Sequence, residues 1–87
     1  VDLAVLWSVL SSFSSRPLSH DLVVFGEVGL SGEIRPVQGG LERLREAAKL
    51  GFTEALVPQA NRTGARAVDI RVTAVSRLPE ALERLGF

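Results

Sequence analysis

Only a few side chains in this sequence could take part in chemistry, and their spacing limits what each could do. His20 and Asp21 are adjacent and follow a serine-rich stretch, Ser11 to Ser19, so the residue types of a Ser-His-Asp relay occur together. That relay needs a carboxylate held so that it orients the imidazole, and adjacent residues in one loop do not give this geometry. His20 is therefore read as a surface-loop residue. Glu27 and Glu33 flank a glycine-containing turn and could be imagined as an acid/base pair, although charged residues beside a turn ordinarily face solvent. Gly26, Gly29 and Gly32 spell Gly-x-x-Gly-x-x-Gly, which lacks the spacing and lysine of a phosphate-binding loop and leads into a strand instead of a helix N-terminus. They are read as turn or bulge glycines, and ATP binding within this chain is rejected. Arg62, Arg66 and Arg71 lie in or beside a polar loop with Asp69 as the nearby acid. A basic loop of this kind can touch DNA phosphates or the carboxylates of a neighbouring subunit; the simpler alternative is a solvated surface.

Composition narrows the field further. With 87 residues, 46% of them apolar, the chain can form one small domain around one core and has no room for a second. Ten basic and ten acidic residues cancel, so no overall field draws it to nucleic acid or to an anionic membrane, although a local patch can coexist with zero net charge. The absence of Cys removes disulfides and thiolate zinc sites, and a single histidine cannot assemble a metal site with histidine partners. A reducing cytoplasm is compatible with this. The longest apolar run, Val1 to Leu10, is interrupted by Asp2 and Ser8 and is too short to span a bilayer. The sequence begins with Val inside a helical pattern, so a fragment of a larger protein is expected.

The elements that must position these residues follow from periodicity. Leu3, Leu6, Trp7, Leu10 and Phe13 recur at helical spacing, and Ala4, Val5 and Val9 fill much of the remaining circumference, which predicts a helix buried on most sides with Trp7 in the core. The serines and Pro17 end it. Leu22-Val23-Val24-Phe25 and Ile34 to Val37, joined through glycines, predict a β-hairpin, its second arm at an edge or ending because Pro36 has no N–H. Gly39 to Leu50 is helical, with Leu41, Leu44, Ala47 and Ala48 on the buried face and Gly51 as the stop. Ala55-Leu56-Val57 is a short strand ended by Pro58, and Ile70 to Val75 alternates as a half-buried strand does. Ser76 is expected to cap a last helix carrying Leu78, Leu82 and Leu85. Helix, hairpin, helix, strand, strand, helix is an α/β chain of the α+β type: a mixed sheet with a β-hairpin and covering helices.

The run Phe25 to Val37, with Glu46-Ala47-Ala48-Lys49-Leu50-Gly51-Phe52 and Ala55-Leu56-Val57-Pro58, resembles the C-terminal Lon-protease-like domain of the RadA (Sms) family of bacterial DNA-repair proteins. The likeness extends over nearly the whole chain, from Asp2-Leu3-Ala4-Val5 to Leu78–Leu85, and covers about the second half of that domain. Residues 1–87 are accordingly expected to be the C-terminal part of a single Lon-like domain. In Lon peptidases a lysine follows a Pro-(Ile/Val)-Gly-Gly-Leu motif at a helix start and, partly desolvated, serves as base for a serine nucleophile. Aligned without gaps from Pro36 to Gly51, the lysine position falls on Leu41; with a one-residue slip onto Gly39-Gly40-Leu41 it falls on Glu42. Neither side chain can act as that base. Lys49, the single lysine, lies about two helical turns further on. Loss of a general base alone costs on the order of 10²–10⁴ in rate, so peptidase activity is not expected and no catalytic, cofactor-binding or metal residue is assigned.

What the resemblance implies is a non-catalytic scaffold within an ATP-dependent, DNA-binding motor of homologous recombination and branch migration. It further implies a cytoplasmic homo-oligomer, a ring of six, that meets DNA through the parent and has no membrane contact. ATP, Mg and Zn would belong to ATPase and zinc-binding modules upstream. Arg35, beside Pro36 in the family-like motif, joins Arg62, Arg66 and Arg71 as a candidate DNA or subunit contact. Two other readings stand beside this one: a Ser-Lys peptidase domain of the Lon family, and a purely structural interaction module.

Overall fold

The computed structural model describes residues 1–14, 21–62, 64–65 and 68–87. Helix α1 (Leu3–Ser14) leads into strand β1 (Leu22–Val24), followed by the short strands β2 (Glu27–Val28) and β3 (Ile34–Arg35). Helix α2 (Gly40–Lys49), strand β4 (Glu54–Pro58), a 3₁₀ turn (Gln59–Asn61), strand β5 (Arg71–Val75) and helix α3 (Leu78–Arg84) complete the described chain. A three-stranded parallel sheet runs β1-β4-β5, and β2 and β3 form a separate antiparallel pair. The mixed α/β class expected from the sequence is the class observed.

Pairing within it differs from the expectation at one place. Leu22–Val24 is not an arm of the hairpin; it lies parallel to β4, Val23 opposite Ala55, while Glu27–Val28 takes the hairpin position opposite Ile34–Arg35. Gly26 causes the break. Its φ of 146° favours glycine and turns the chain out of the parallel sheet. A Cβ there would stand 3.0 Å from Ile34 Cγ2 and 3.2 Å from a Pro58 ring carbon, so a larger residue would push the hairpin off the sheet.

Helices cover both faces of the parallel sheet, which explains the uninterrupted burial of Ala55, Leu56, Val57 and Pro58 along β4. On one face Leu3 of α1 and Ala81 of α3 pack with Val24, Leu56, Val75 and Ile34, and Trp7 packs against this group as expected. On the other, Leu44 of α2 packs with Phe25, Ala55, Val57 and Ala65. The predicted stripe on α2 is confirmed in Leu44 and Ala47, with Leu41 and Ala48 half-buried. Its C-terminus closes as the sequence suggests: Gly51, at φ 97°, donates to Ala48 O and Phe52 donates to Ala47 O, the paired bonds that satisfy the last free carbonyls of a helix.

Two local expectations are corrected. Helix α1 is not buried on most sides: Leu3 and Ser11 are its buried residues, while Val5, Val9 and Phe13 are 57%, 45% and 86% exposed. The sheet covers one side only, and among the described residues nothing packs on the other. Ser76 is not the cap of α3. Arg77 holds that position with extended backbone, and Glu80 reaches back so that its Oε1 accepts the N–H groups of Ser76 and Arg77, each at 3.1 Å.

Candidate functional site

The segment entering α2, on which the expected lysine position falls in the sequence reading, is closely built. Asn61, on the 3₁₀ turn after β4, pairs with the backbone of Val37 in both directions: Val37 N–H donates to Oδ1 at 2.8 Å and Nδ2 donates to Val37 O at 2.9 Å. The side-chain amide thus acts as a short piece of strand and ties the approach to α2 onto the end of β4. Gly40 then passes directly beneath it; a Cβ there would stand 2.6 Å from Nδ2, so a larger residue would displace the amide. Gly39, at φ 67°, supplies the turn into the helix, and its carbonyl accepts Arg43 N–H at 3.0 Å. The Gly39-Gly40 pair is therefore a backbone device.

Leu41 follows on the first turn of α2, half-buried, with its side chain over Gly64: a Cβ on Gly64 would meet Leu41 Cδ2 at 3.5 Å. Glu42, the alternative position, is exposed. An aliphatic group pressed against backbone can neither accept nor deliver a proton.

The hairpin is the second constructed feature, and it also explains the three glycines. Gly29 donates to Glu33 O at 2.8 Å and Gly32 donates to Gly29 O at 3.0 Å, closing a tight turn. Glu33 folds over it and accepts Ser31 N–H at 3.1 Å; a Cβ at Gly29 would fall on that carboxylate. The N–H groups of Ser31 and of Glu33 itself, followed by the charges of Arg35 and Arg77, hold the Glu33 carboxyl below the usual carboxylate range. A carboxylate over the turn repels anions, so these glycines do not fit a nucleotide phosphate. Nor does Glu33 act as one of an acid/base pair: it is committed to the turn, and the exposed Glu27 lies on β2 opposite Arg35.

Arg77, which sequence reasoning does not single out, locks the hairpin to the start of α3. Its Nη2 donates to Ser31 O at 2.7 Å, while Ile34 N–H donates to Ser76 O at 2.8 Å and Leu78 N–H to Gly32 O at 2.7 Å. The turn is held from three directions, and it presents Leu30, fully exposed, at its tip.

The arginines do not form one patch. Arg71 opens β5 opposite Glu54, and its Nη1 lies 2.9 Å from Glu54 Oε1. Arg62 lies beyond the far end of β4, past Pro58, so the strand length separates the two, roughly 13 Å for four residues. Arg35, on β3, faces Glu33 at 3.7 Å. Arg62 is exposed, and no carboxylate among the described residues is within ion-pair distance of it. Arg66 lies outside the described residues, as does His20.

Residues 1–61, more than half of the chain, match the family described as subunit ChlI of Mg-chelatase, and the chain belongs to that family. Individual relatives extend the likeness along almost its whole length. It is 55% identical over 84 residues to the DNA repair protein RadA of Pseudomonas aeruginosa, covering 97% of this chain and 18% of the relative. It is 53% identical over 81 residues to the DNA repair protein RadA of Escherichia coli K12, covering 93% and 18%. To that of Bacillus subtilis 168 it is 42% identical over 83 residues, covering 94% and 18%. The chain thus spans about a fifth of the length of these relatives. No helix among the described residues is long and apolar enough to cross a membrane.

Proposed function

We propose that this chain is the C-terminal part of a Lon-protease-like domain in a RadA-type DNA-repair protein, and that it serves as a non-catalytic scaffold through which copies of the parent assemble. The observation that carries the reading is Leu41. Aligned without gaps from Pro36 to Gly51, Gly39 falls on a glycine of the Lon-type motif and Leu41 on its base; the Asn61 amide holds this helix entry, and the leucine lies beside Gly64. Relatives named DNA repair protein RadA, at 40–55% identity over nearly the full chain, support the parent's identity.

Under this reading the parent is an ATP-dependent motor that binds DNA and extends branched recombination intermediates, and it works in the cytoplasm as a ring of six. ATP and Mg would be held by an ATPase module and Zn by a cysteine-bearing module. In keeping with this, the chain has no Cys, and its glycine turn lies under a carboxylate. Among the described basic candidates Arg62 is the one without a facing carboxylate, since Arg35 and Arg71 already face carboxylates, which favours it for a DNA phosphate or a neighbouring subunit.

Incubation of the intact parent with a labelled unfolded protein and ATP tests the reading. No peptide release above buffer is expected. Release that disappears when a serine preceding Val1 is replaced would establish the Ser-Lys peptidase alternative instead. For the arginines, Arg62→Ala in the parent should reduce the salt dependence of DNA binding by about one counterion if the contact is to phosphate. An unchanged slope would favour a purely structural module.

A further inference from the structure

We infer that the outward face of α1 is an internal docking surface in the parent protein, covered by the part of the same polypeptide that precedes Val1; the inference rests on the reading above, in which this chain is one part of a domain. Val5, Val9 and Phe13 recur every fourth residue and form one exposed apolar stripe, with Ser8 and Ser12 beside it. No residue of Leu3–Ser14 is charged. The other two helices show the composition of a solvated face in this fold: Glu42, Arg45 and Lys49 are exposed on α2, and Glu80 and Glu83 on α3. A helix that is apolar on both sides and carries no charge is a buried helix, so α1 has the composition of an element with a second covering layer.

The direction of the chain identifies the cover. Val1 leads into α1 as a strand on the free edge of β2: its nitrogen donates to Val28 O at 3.1 Å, Val28 N–H donates to Val1 O at 2.7 Å, and Leu3 N–H donates to Gly26 O at 2.9 Å, with Asp2 opposite Glu27. Residues ahead of Val1 are thereby anchored about one helical turn from Val5, where the stripe begins. The chain spans about a fifth of the length of its relatives, which leaves ample polypeptide to form a covering layer. A segment tethered in this way meets the stripe at an effective concentration on the order of millimolar, without the loss of translational freedom that a second copy or a separate partner must offset. Ser8 and Ser12 add little bulk, so a covering element can approach α1 closely.

A photoreactive benzophenone side chain in place of Phe13 tests this in the intact parent, assembled from equal parts of unlabelled and heavy-nitrogen copies. After irradiation, mass spectrometry should find position 13 joined to a peptide that precedes Val1, with both halves of the link carrying the same isotope. Links of mixed isotope would put a second copy on the stripe, which overturns the inference and spares the scaffold reading. Links confined to residues 1–87, or no links, would show an open face and overturn it as well. Val9→Asp gives a second readout. Valine and aspartate have nearly equal helix propensity, so the change is close to neutral on a solvated face, whereas under a cover it should lower the melting temperature of the parent. An unchanged melting temperature contradicts the inference. A parent that sediments as a monomer yet gives same-isotope links overturns the scaffold reading and keeps the cover.

Discussion

Replacing Asn61 with alanine, alone and together with Gly40→Ala, probes whether the α2 entry is built as its geometry indicates. The amide makes two part-buried hydrogen bonds to Val37, at 2.8 and 2.9 Å. At about 1 kcal/mol each, their loss should destabilise the fold by about 2 kcal/mol and lower its melting temperature by roughly 8–16 °C for a domain of this size. Gly40→Ala places a methyl group 2.6 Å from Asn61 Nδ2 and so expels the same amide. Its cost is similar, less the roughly 0.4–1 kcal/mol that alanine gains over glycine through the unfolded chain. In the double variant the amide is already absent, and the nearest remaining side-chain atom, Asn61 Cβ at 3.3 Å, needs a shift of only a few tenths of an ångström. The pair should therefore be about as stable as Asn61→Ala alone, with a coupling of roughly 1–2 kcal/mol. Urea denaturation followed by far-UV circular dichroism on the four proteins measures it. Losses that simply add would refute the reasoning.

Three further outcomes follow from other parts of the molecule. Leu44, fully buried under the sheet, should cost about 2–5 kcal/mol when truncated to alanine, read as a shift in urea midpoint; a loss below 1 kcal/mol would mean the α2 face is not packed as described. The Glu33 carboxyl is held below its ordinary value by the Ser31 and Glu33 N–H groups, so its contribution is present above the ordinary carboxylate range and lost as pH falls through the lowered folded value. The stability difference between wild type and Glu33→Gln, measured by denaturation from pH 7 to pH 3, should be constant near neutrality and shrink at the acidic end; a difference independent of pH would contradict the turn geometry. Arg71→Ala breaks a pair whose side chains are 78% and 44% exposed and should cost less than about 1 kcal/mol, fading with added salt; a larger, salt-insensitive loss would show that Arg71 carries packing as well as charge.

Local features were legible in the sequence where one residue type had one physical reason to be there. The apolar stripe of α2, the glycine stop at Gly51 and the interruption at Pro36 follow from periodicity and backbone sterics, and each is found in place. Pairing was not legible in the same way. Leu22–Val24 looks like a hairpin arm because its neighbour in sequence is another apolar run, but its partner β4 lies some 30 residues away, and β2 is only Glu-Val, too short to show an alternation. The spacing of Arg62 and Arg71 was not legible for a topological reason: a crossover between parallel strands returns the chain to the opposite end of the sheet, so proximity in sequence becomes separation in space. Asn61 and Arg77 gave no signal, since an amide that imitates a strand and a guanidinium that holds a turn are defined by partners 24 and 46 residues distant. For Leu41 the structure adds its place on the first turn of α2, half-buried beside Gly64.

The mass of the intact parent, measured by analytical ultracentrifugation with and without the segment corresponding to residues 1–87, tests the scaffold claim most directly. The account predicts a ring-sized assembly that falls to smaller species when the segment is removed, with no unfolded-protein hydrolysis in either form. An assembly of unchanged mass after removal would contradict it.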